Sequence, residues 1–190
     1  TGKLLDALDA AGVAANTLFL FTVDHGIPFP RAKGTLYDPG IKAALLIRWP
    51  GSVAPGSTCE AFTSNIDILP TLLEIASRSI PENIQGRSFL PLLTGEDRRS
   101  FTPRPEIFAE KTYHEVYDPI RCIRTDRYKY IRNFAERPRL LLPTDIHNSP
   151  TRRVLDDEYL AHRPTHELYD LGSDALEQHN VIGHPDYADV

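Results

Sequence analysis

Apolar positions along the chain fall into three rhythms. In KLLDALDAAG, Leu4, Leu5, Leu8 and Ala11 share one face at helical spacing, and Gly12 stands where a helix C-cap glycine belongs. Two runs are apolar without alternation, LFLFTV (residues 18–23) and AALLIRW (Ala43 to Trp49). Such runs suit short strands covered on both faces, as in a parallel sheet, and Pro50 and Gly51 end the second one. SNIDILPTLLEIASR returns to helical spacing through Ile68, Leu69, Leu72, Leu73, Ile75 and Ala76. Ser64 with Asp67 three residues on resembles a capping box, and Pro70 is tolerable near the helix start. A helix, two such strands and another helix predict an α/β core.

After Pro105 the rhythm changes, and IRCIRT and RYKYIRN alternate with period two. EIFAEKTYH, IRCIRT, RYKYIRN and HELYDL read as short strands, with RTDR as a hairpin turn between the second and third. Together they predict a small antiparallel sheet. RPRLLLPTDIHNSPTRRV is rich in proline and reads as a long surface excursion, and SDALEQHNVI as a helix capped by Ser173. The division expected is residues 1–100 for the α/β core and residues 101–190 for the smaller lobe and tail.

Composition narrows the function classes. With 190 residues, 41% hydrophobic and 25% charged, the chain suits one large domain or a domain plus a lobe. A net charge of -5 argues against general nucleic-acid binding. No apolar run approaches the roughly 18 residues that span a bilayer. The chain begins with Thr1 and contains no Met, which suggests a piece of a longer protein. Such a piece is expected to expose an apolar sheet edge and to self-associate. Cys59 and Cys122 match no zinc spacing; buried thiols fit them better than a single disulfide, and the redox compartment stays open.

The chemistry gathers where LFLFTV ends. Asp24 offers a hard oxygen and negative charge, and His25 a nitrogen that suits manganese, zinc or iron better than calcium. Gly26 frees the backbone to turn both side chains the same way. Lys33, seven residues on, can bring a cation to an anion held at the metal. From the residues alone, Asp-His-Gly also fits a plain turn, His25 a general base or a loop side chain, and Lys33 a solvated surface lysine. Seven basic residues lie between Arg121 and Arg139. They fit either a sulfated-polysaccharide face or, more simply, a solvated sheet face. His166, His179 and His184 have no ligand-like spacing and read as surface residues.

NTLFLFTVDHGIPFPRAKGTLYDPGIKAALLIRWPG resembles the second conserved block of the sulfatases, members of the alkaline phosphatase superfamily. IDILPTLLEIA, GRSFLPLLTG and ELYDLGSDALEQHNV resemble the helix, loop and tail that follow it. DHGIPFP and TYHEVYDPIRCIRTDRYKYI are most similar to the heparan N-sulfatase (sulfamidase) branch. The resemblance implies the C-terminal part of an alkaline-phosphatase-like α/β sandwich, a small antiparallel lobe and a C-terminal helix. It also implies a secreted, periplasmic or lysosomal protein acting on a sulfated small molecule or glycan.

Carried over residue by residue, Asp24 and His25 match half of a divalent-metal site, and Lys33 matches the basic residue that contacts the sulfate. His114 and Glu115 fall where the sulfamidase branch has a similar His-Glu, which implies sugar contact; a hydrogen-bonded strand-end histidine fits His114 as well. The resemblance implies Ca2+, whereas His25 in place of the usual Asn favours Mn2+ or Zn2+. Asp-His-Gly also occurs in the related phosphonate monoester hydrolases. The family's nucleophile is a formylglycine made from Cys or Ser in a Cys/Ser-x-Pro-x-Arg motif. Cys59, Cys122, Ser52 and Ser149 do not fit that motif. The nucleophile is therefore expected in an N-terminal part outside this chain, and these residues alone are expected to be inactive. Hydrolysis of a sulfate ester or sulfamate is the leading expectation. A phosphonate or phosphate ester hydrolase and a non-catalytic sulfated-glycan-binding module are the alternatives.

Overall fold

The computed structural model describes residues 1–95 and 101–190. In chain order its main elements are α1 (Gly2–Ala10), β1 (Phe19–Thr22), α2 (Asp38–Ile41), β2 (Leu45–Arg48), α3 (Ile68–Ile75), α4 (Leu90–Thr94), β3 (Glu106–His114), β4 (Val116–Thr125), β5 (Tyr128–Asn133), α5 (Thr144–His147) and β6 (His166–Asp170). The chain divides into two compact units. One holds Thr1–Thr22 and Ala44–Arg104, the other Val23–Ala43 and Pro105–Val190. The boundary expected near residue 100 lies outside the described residues.

In the first unit, α1 ends at Ala10, and Gly12 adopts a left-handed φ of +69° two residues later. β1 and β2 pair antiparallel, Phe19 opposite Arg48 through Thr22 opposite Leu45. This corrects the parallel arrangement that the unalternating apolar runs predict. A parallel pair needs a crossover that packs back on its own sheet. Here the connecting segment belongs to the other unit instead. Neither strand is covered on both faces: β1 is half-buried throughout and Leu46 in β2 is 63% exposed. α3 starts as predicted. Ser64 and Asp67 form the capping box, and Asp67 also accepts the Arg87 N–H at 2.7 Å and an Arg104 guanidinium N–H at 2.5 Å.

The second unit is a four-stranded antiparallel sheet in the order β3-β4-β5-β6, so neighbours in sequence are neighbours in space. The alternation in RYKYIRN is genuine: Lys129, Ile131 and Asn133 are buried while Tyr128 and Tyr130 are only half-buried. The buried face carries Ile120, Cys122, Ile131 and Tyr169, and Leu36 and Tyr37 from the 23–43 segment pack into the same core. Burial pushes the Cys122 thiol up to about 12. Cys59 is exposed, and both cysteines are free.

Charged groups pin the 23–43 segment to this sheet. Lys129, fully buried, meets Glu177 at 2.6 Å and also pairs with Asp38, which Arg124 reaches at 3.2 Å. The Arg31 guanidinium lies 3.9 Å from the Tyr37 ring centroid and donates to the Leu176 carbonyl at 2.8 Å. These contacts explain a second departure from expectation. After Ser173 the chain forms turns rather than the predicted helix, and the tail has one 3-10 turn at Pro185–Tyr187. Asp174 and Asn180 accept backbone N–H groups from His179 and Ile182, and Glu177 sits at φ +56° to reach Lys129. Side chains thus take the donors that a helix would have bonded internally.

Candidate metal and anion site

The segment after Val23 folds tightly on itself. The Gly26 N–H donates to the Gly40 carbonyl at 2.8 Å. A Cβ on Gly26 would lie 1.8 Å from the Pro39 carbonyl oxygen, and one on Gly40 would lie 2.4 Å from the Ala32 oxygen. Both positions therefore exclude any side chain, which is a firmer reason for glycine than turn preference. Inside the closure, the Thr35 hydroxyl donates to the Ala32 carbonyl at 2.8 Å and the Lys33 N–H to the Ile27 carbonyl at 3.2 Å.

At the mouth of this closure, His25 Nδ1 is 2.7 Å from the Gly26 carbonyl oxygen. A carbonyl only accepts, so Nδ1 carries the proton and neutral His25 has its lone pair on Nε2. Nε2 stands 3.7 Å from Asp24 Oδ1. Donors to one ion at about 2.0–2.3 Å stand roughly 3–3.5 Å apart, so a small rotation lets both reach a shared cation. The backbone bond that fixes the imidazole tautomer is the usual support of a metal-binding histidine. Among the described residues no three His, Cys, Asp or Glu side chains converge, so the pair supplies only part of a coordination shell.

Lys33 does not stand free. Its ammonium donates to Asp145 Oδ2 at 2.7 Å, and this bond holds the Asp145 carboxyl below the usual aspartate range. The lysine side chain is 19% exposed and the aspartate 51%, so the pair opens to solvent on the carboxylate side. His114 ends β3, and Glu115 follows it at φ +60°. The Thr144 N–H and hydroxyl bond the Glu115 carboxylate and hold its pKa below the usual range. A cleft of about 190 Å³ runs from Gly34 to Lys111, His114 and Glu115, bordered by Leu142 and Pro143. The structure thus brings the lysine loop and the His114–Glu115 turn to one cleft. Asp24 and His25 are not among the cleft residues described.

Asp145 and Thr144 were not legible as site residues, because they lie in a proline-rich stretch and 112 positions separate Lys33 from Asp145. The basic segment also looks different once folded. Arg121 pairs with Glu110, Arg124 with Asp38, Arg127 with Asp170, Arg139 with Glu158, and Lys129 is buried.

The profile of the family described as N-sulphoglucosamine sulphohydrolase, C-terminal, matches residues 29–154. The chain belongs to the sulfatase family. Over 182 residues it is 37% identical to an ulvan-active sulfatase of Formosa agariphila, covering 92% of this chain and 35% of that protein. It is 30% identical to human N-sulphoglucosamine sulphohydrolase, covering 100% of this chain and 42% of the relative. This sulfatase chain therefore spans roughly a third to two-fifths of the length of these two relatives. Among solved structures, it is similar to a protein in complex with its substrate D-glucosamine-2-N,6-O-disulfate, with a TM-score of 0.74 at 26% identity, over 99% of this chain and 34% of the other. It is also similar to a phosphonate monoester hydrolase from Silicibacter pomeroyi, with a TM-score of 0.70 at 26% identity, over 99% and 35% of the two chains. The alkaline-phosphatase-like fold expected from the sequence is thus the fold of its structural neighbours.

Proposed function

We propose that this chain is the C-terminal part of a sulfatase that hydrolyses a sulfate ester or sulfamate of a sugar. The family match over residues 29–154 carries the proposal. The relatives named for N-sulphoglucosamine and ulvan support a sugar substrate. In this reading Asp24 and the Nε2 lone pair of His25 hold one side of a divalent cation, with Ca2+, Mn2+ and Zn2+ as the candidates. When bound, such a cation neutralises oxygens of a tetrahedral anion and polarises its bond to the leaving group. The nucleophile is a formylglycine supplied by a part of the parent protein outside these residues, since no Cys or Ser here begins a Cys/Ser-x-Pro-x-Arg motif.

The residues of this chain orient the anion and offset its charge. The Lys33 ammonium has three donors and spends one on Asp145, which leaves two for sulfate oxygens or the leaving oxygen. His114 faces the sugar from the cleft beside Gly34. A phosphonate or phosphate ester hydrolase is the second reading, favoured by the Silicibacter pomeroyi neighbour. The glycan-binding module loses support, because five of its seven basic residues are committed to acidic partners. The test is the intact mass of the parent protein with tandem mass spectrometry of each Cys and Ser peptide, alongside sulfate release from N- and O-sulfated glucosamine. Formylglycine with sulfate release is the expected result. An unmodified nucleophile with phosphonate turnover moves the second reading to first place.

A further inference from the structure

One residue, Glu115, turns the chain from β3 into β4, at φ +60°. That left-handed conformation suits glycine and costs any residue with a Cβ. A glutamate at a surface turn usually extends its carboxylate into water. Here the carboxylate, though exposed, is drawn to Thr144, whose N–H lies 3.0 and 3.1 Å from the two oxygens and whose hydroxyl donates at 2.8 Å. Thr144 opens α5, and Ile146 anchors that helix in the core at 1% exposure. The next residue after Thr144 is Asp145. Its Oδ1 accepts the Ile146 N–H at 3.0 Å, which leaves Oδ2 for Lys33 at 2.7 Å.

We propose that Glu115 is a positioning residue for Lys33: it clamps Thr144, Thr144 fixes Asp145, and Asp145 aims the lysine ammonium. The proposal rests on Lys33 as the anion contact of the sulfatase reading. It assigns Glu115 a task beyond touching sugar, because both of its oxygens bond Thr144. A flexible four-carbon side chain loses little by leaving a half-exposed partner. The clamp matters because Asp145, the ammonium's partner, sits on a four-residue helix with few bonds of its own. With one donor held, the other two ammonium donors have a defined direction. Misplacing such a group by about 1 Å can cost on the order of 100-fold in rate.

The experiment is a set of variants in the full-length parent enzyme, read by kcat/KM on a sulfated glucosamine, by Tm, and by the side-chain NMR signals of Lys33. Glu115→Gly relieves the left-handed backbone, so its Tm is expected to stay near wild type. Its kcat/KM is expected to fall roughly 10- to 100-fold, and the splitting of the Lys33 Hε protons to collapse. Glu115→Gln, which keeps an oxygen for the Thr144 N–H, is expected to recover most of the loss. In a Lys33→Ala background, Glu115→Gly is expected to cost nothing further, as positioning through Lys33 requires. Full wild-type kcat/KM in Glu115→Gly, or a loss that adds in full to that of Lys33→Ala, overturns the clamp. Tighter sulfate binding by Asp145→Asn also overturns it, by marking Asp145 as a competitor of the anion. Unchanged activity in Lys33→Ala overturns the anion role of Lys33 instead, and the Lys33 NMR signals then still decide whether the clamp exists.

Discussion

Lys129 Nζ and the Glu177 carboxylate lie 2.6 Å apart, and neither side chain reaches solvent. Two strong forces oppose each other there. Burial pushes the Glu177 carboxyl up, and the Lys129 ammonium pulls it back only in part. Removing one partner of such a pair leaves an uncompensated buried charge. Lys129→Met is therefore expected to destabilise the fold by about 3–5 kcal/mol at neutral pH, read from the midpoint of urea unfolding. The loss should shrink as pH falls, because Glu177 then folds in its neutral form. A raised carboxyl pKa favours the fold below its unfolded value and disfavours it as pH rises through the folded one. Lys129→Met with Glu177→Leu should restore much of the stability; a single-variant loss under about 1 kcal/mol would refute the argument.

Asp118 has the opposite sign. Burial works against its charge, but Arg163 at 2.6 Å and Lys111 at 2.7 Å overcome this and hold its carboxyl below the usual range. Its contribution is present above the ordinary aspartate value of about 3.9 and fades as pH falls through the lower folded value. Asp118→Asn is expected to lower stability by roughly 3 kcal/mol at pH 7 and to flatten the acid limb of a Tm-versus-pH curve. An acid limb as steep as wild type would count against this ion cluster.

Tyr37 and Tyr169 both donate to Glu167, at 2.7 and 2.6 Å. Burial, with the nearby Glu167 charge, pushes Tyr37 up to about 12. Burial and the Tyr37 and Glu167 charges push Tyr169 up further. An ultraviolet titration should show Tyr37 and Tyr169 ionising only as the fold is lost. The stability they hold is complete below pH about 10 and disappears as pH rises toward 12. Tyr37→Phe removes a donor from a buried carboxylate and should cost about 1–3 kcal/mol by thermal unfolding. Ionisation of Tyr37 and Tyr169 near pH 10 in the folded protein would show that this buried cluster does not form.

Gly26→Ala sets a Cβ 1.8 Å from the Pro39 carbonyl oxygen, a contact that backbone must relieve by moving. The 26–40 closure should open, and the residue 26 amide should lose its protection from hydrogen exchange. Divalent-metal affinity of the parent enzyme should fall with it, as the backbone carbonyl that fixes His25 shifts. Unchanged protection at residue 26 would contradict the geometry.

Local rhythm made much of this fold legible. The alternation in IRCIRT and RYKYIRN reports a face that the chain itself buries, so β4 and β5 stand where the pattern puts them. The capping box at Ser64 and Asp67 is equally local. What failed depends on distant partners. The apolar runs of β1 and β2 say that something covers them but not in which direction they pair. SDALEQHNVI has helical spacing, but Glu177 answers to Lys129 rather than to its own turn. At the candidate site, Asp24, His25 and Lys33 stood out through their setting after a strand. Thr144 and Asp145 could not, since a proline-rich segment gives no sign of which loop it will touch.

The anchoring of the 23–43 segment also sets an order of events during synthesis. The sheet pairs only neighbouring strands, so it can assemble as it emerges. The Arg31 guanidinium instead awaits the Leu176 carbonyl, 145 positions later, and the Asp38 amide awaits Glu177, 139 positions later. At about 5–20 residues per second, these two tail contacts reach the loop roughly 7–30 seconds after it is made. Throughout that interval the segment carrying Asp24, His25 and Lys33 depends on earlier partners such as Arg124 on Asp38 and Asp145 on Lys33, and a premature stop before residue 176 would leave it without the tail contacts for good.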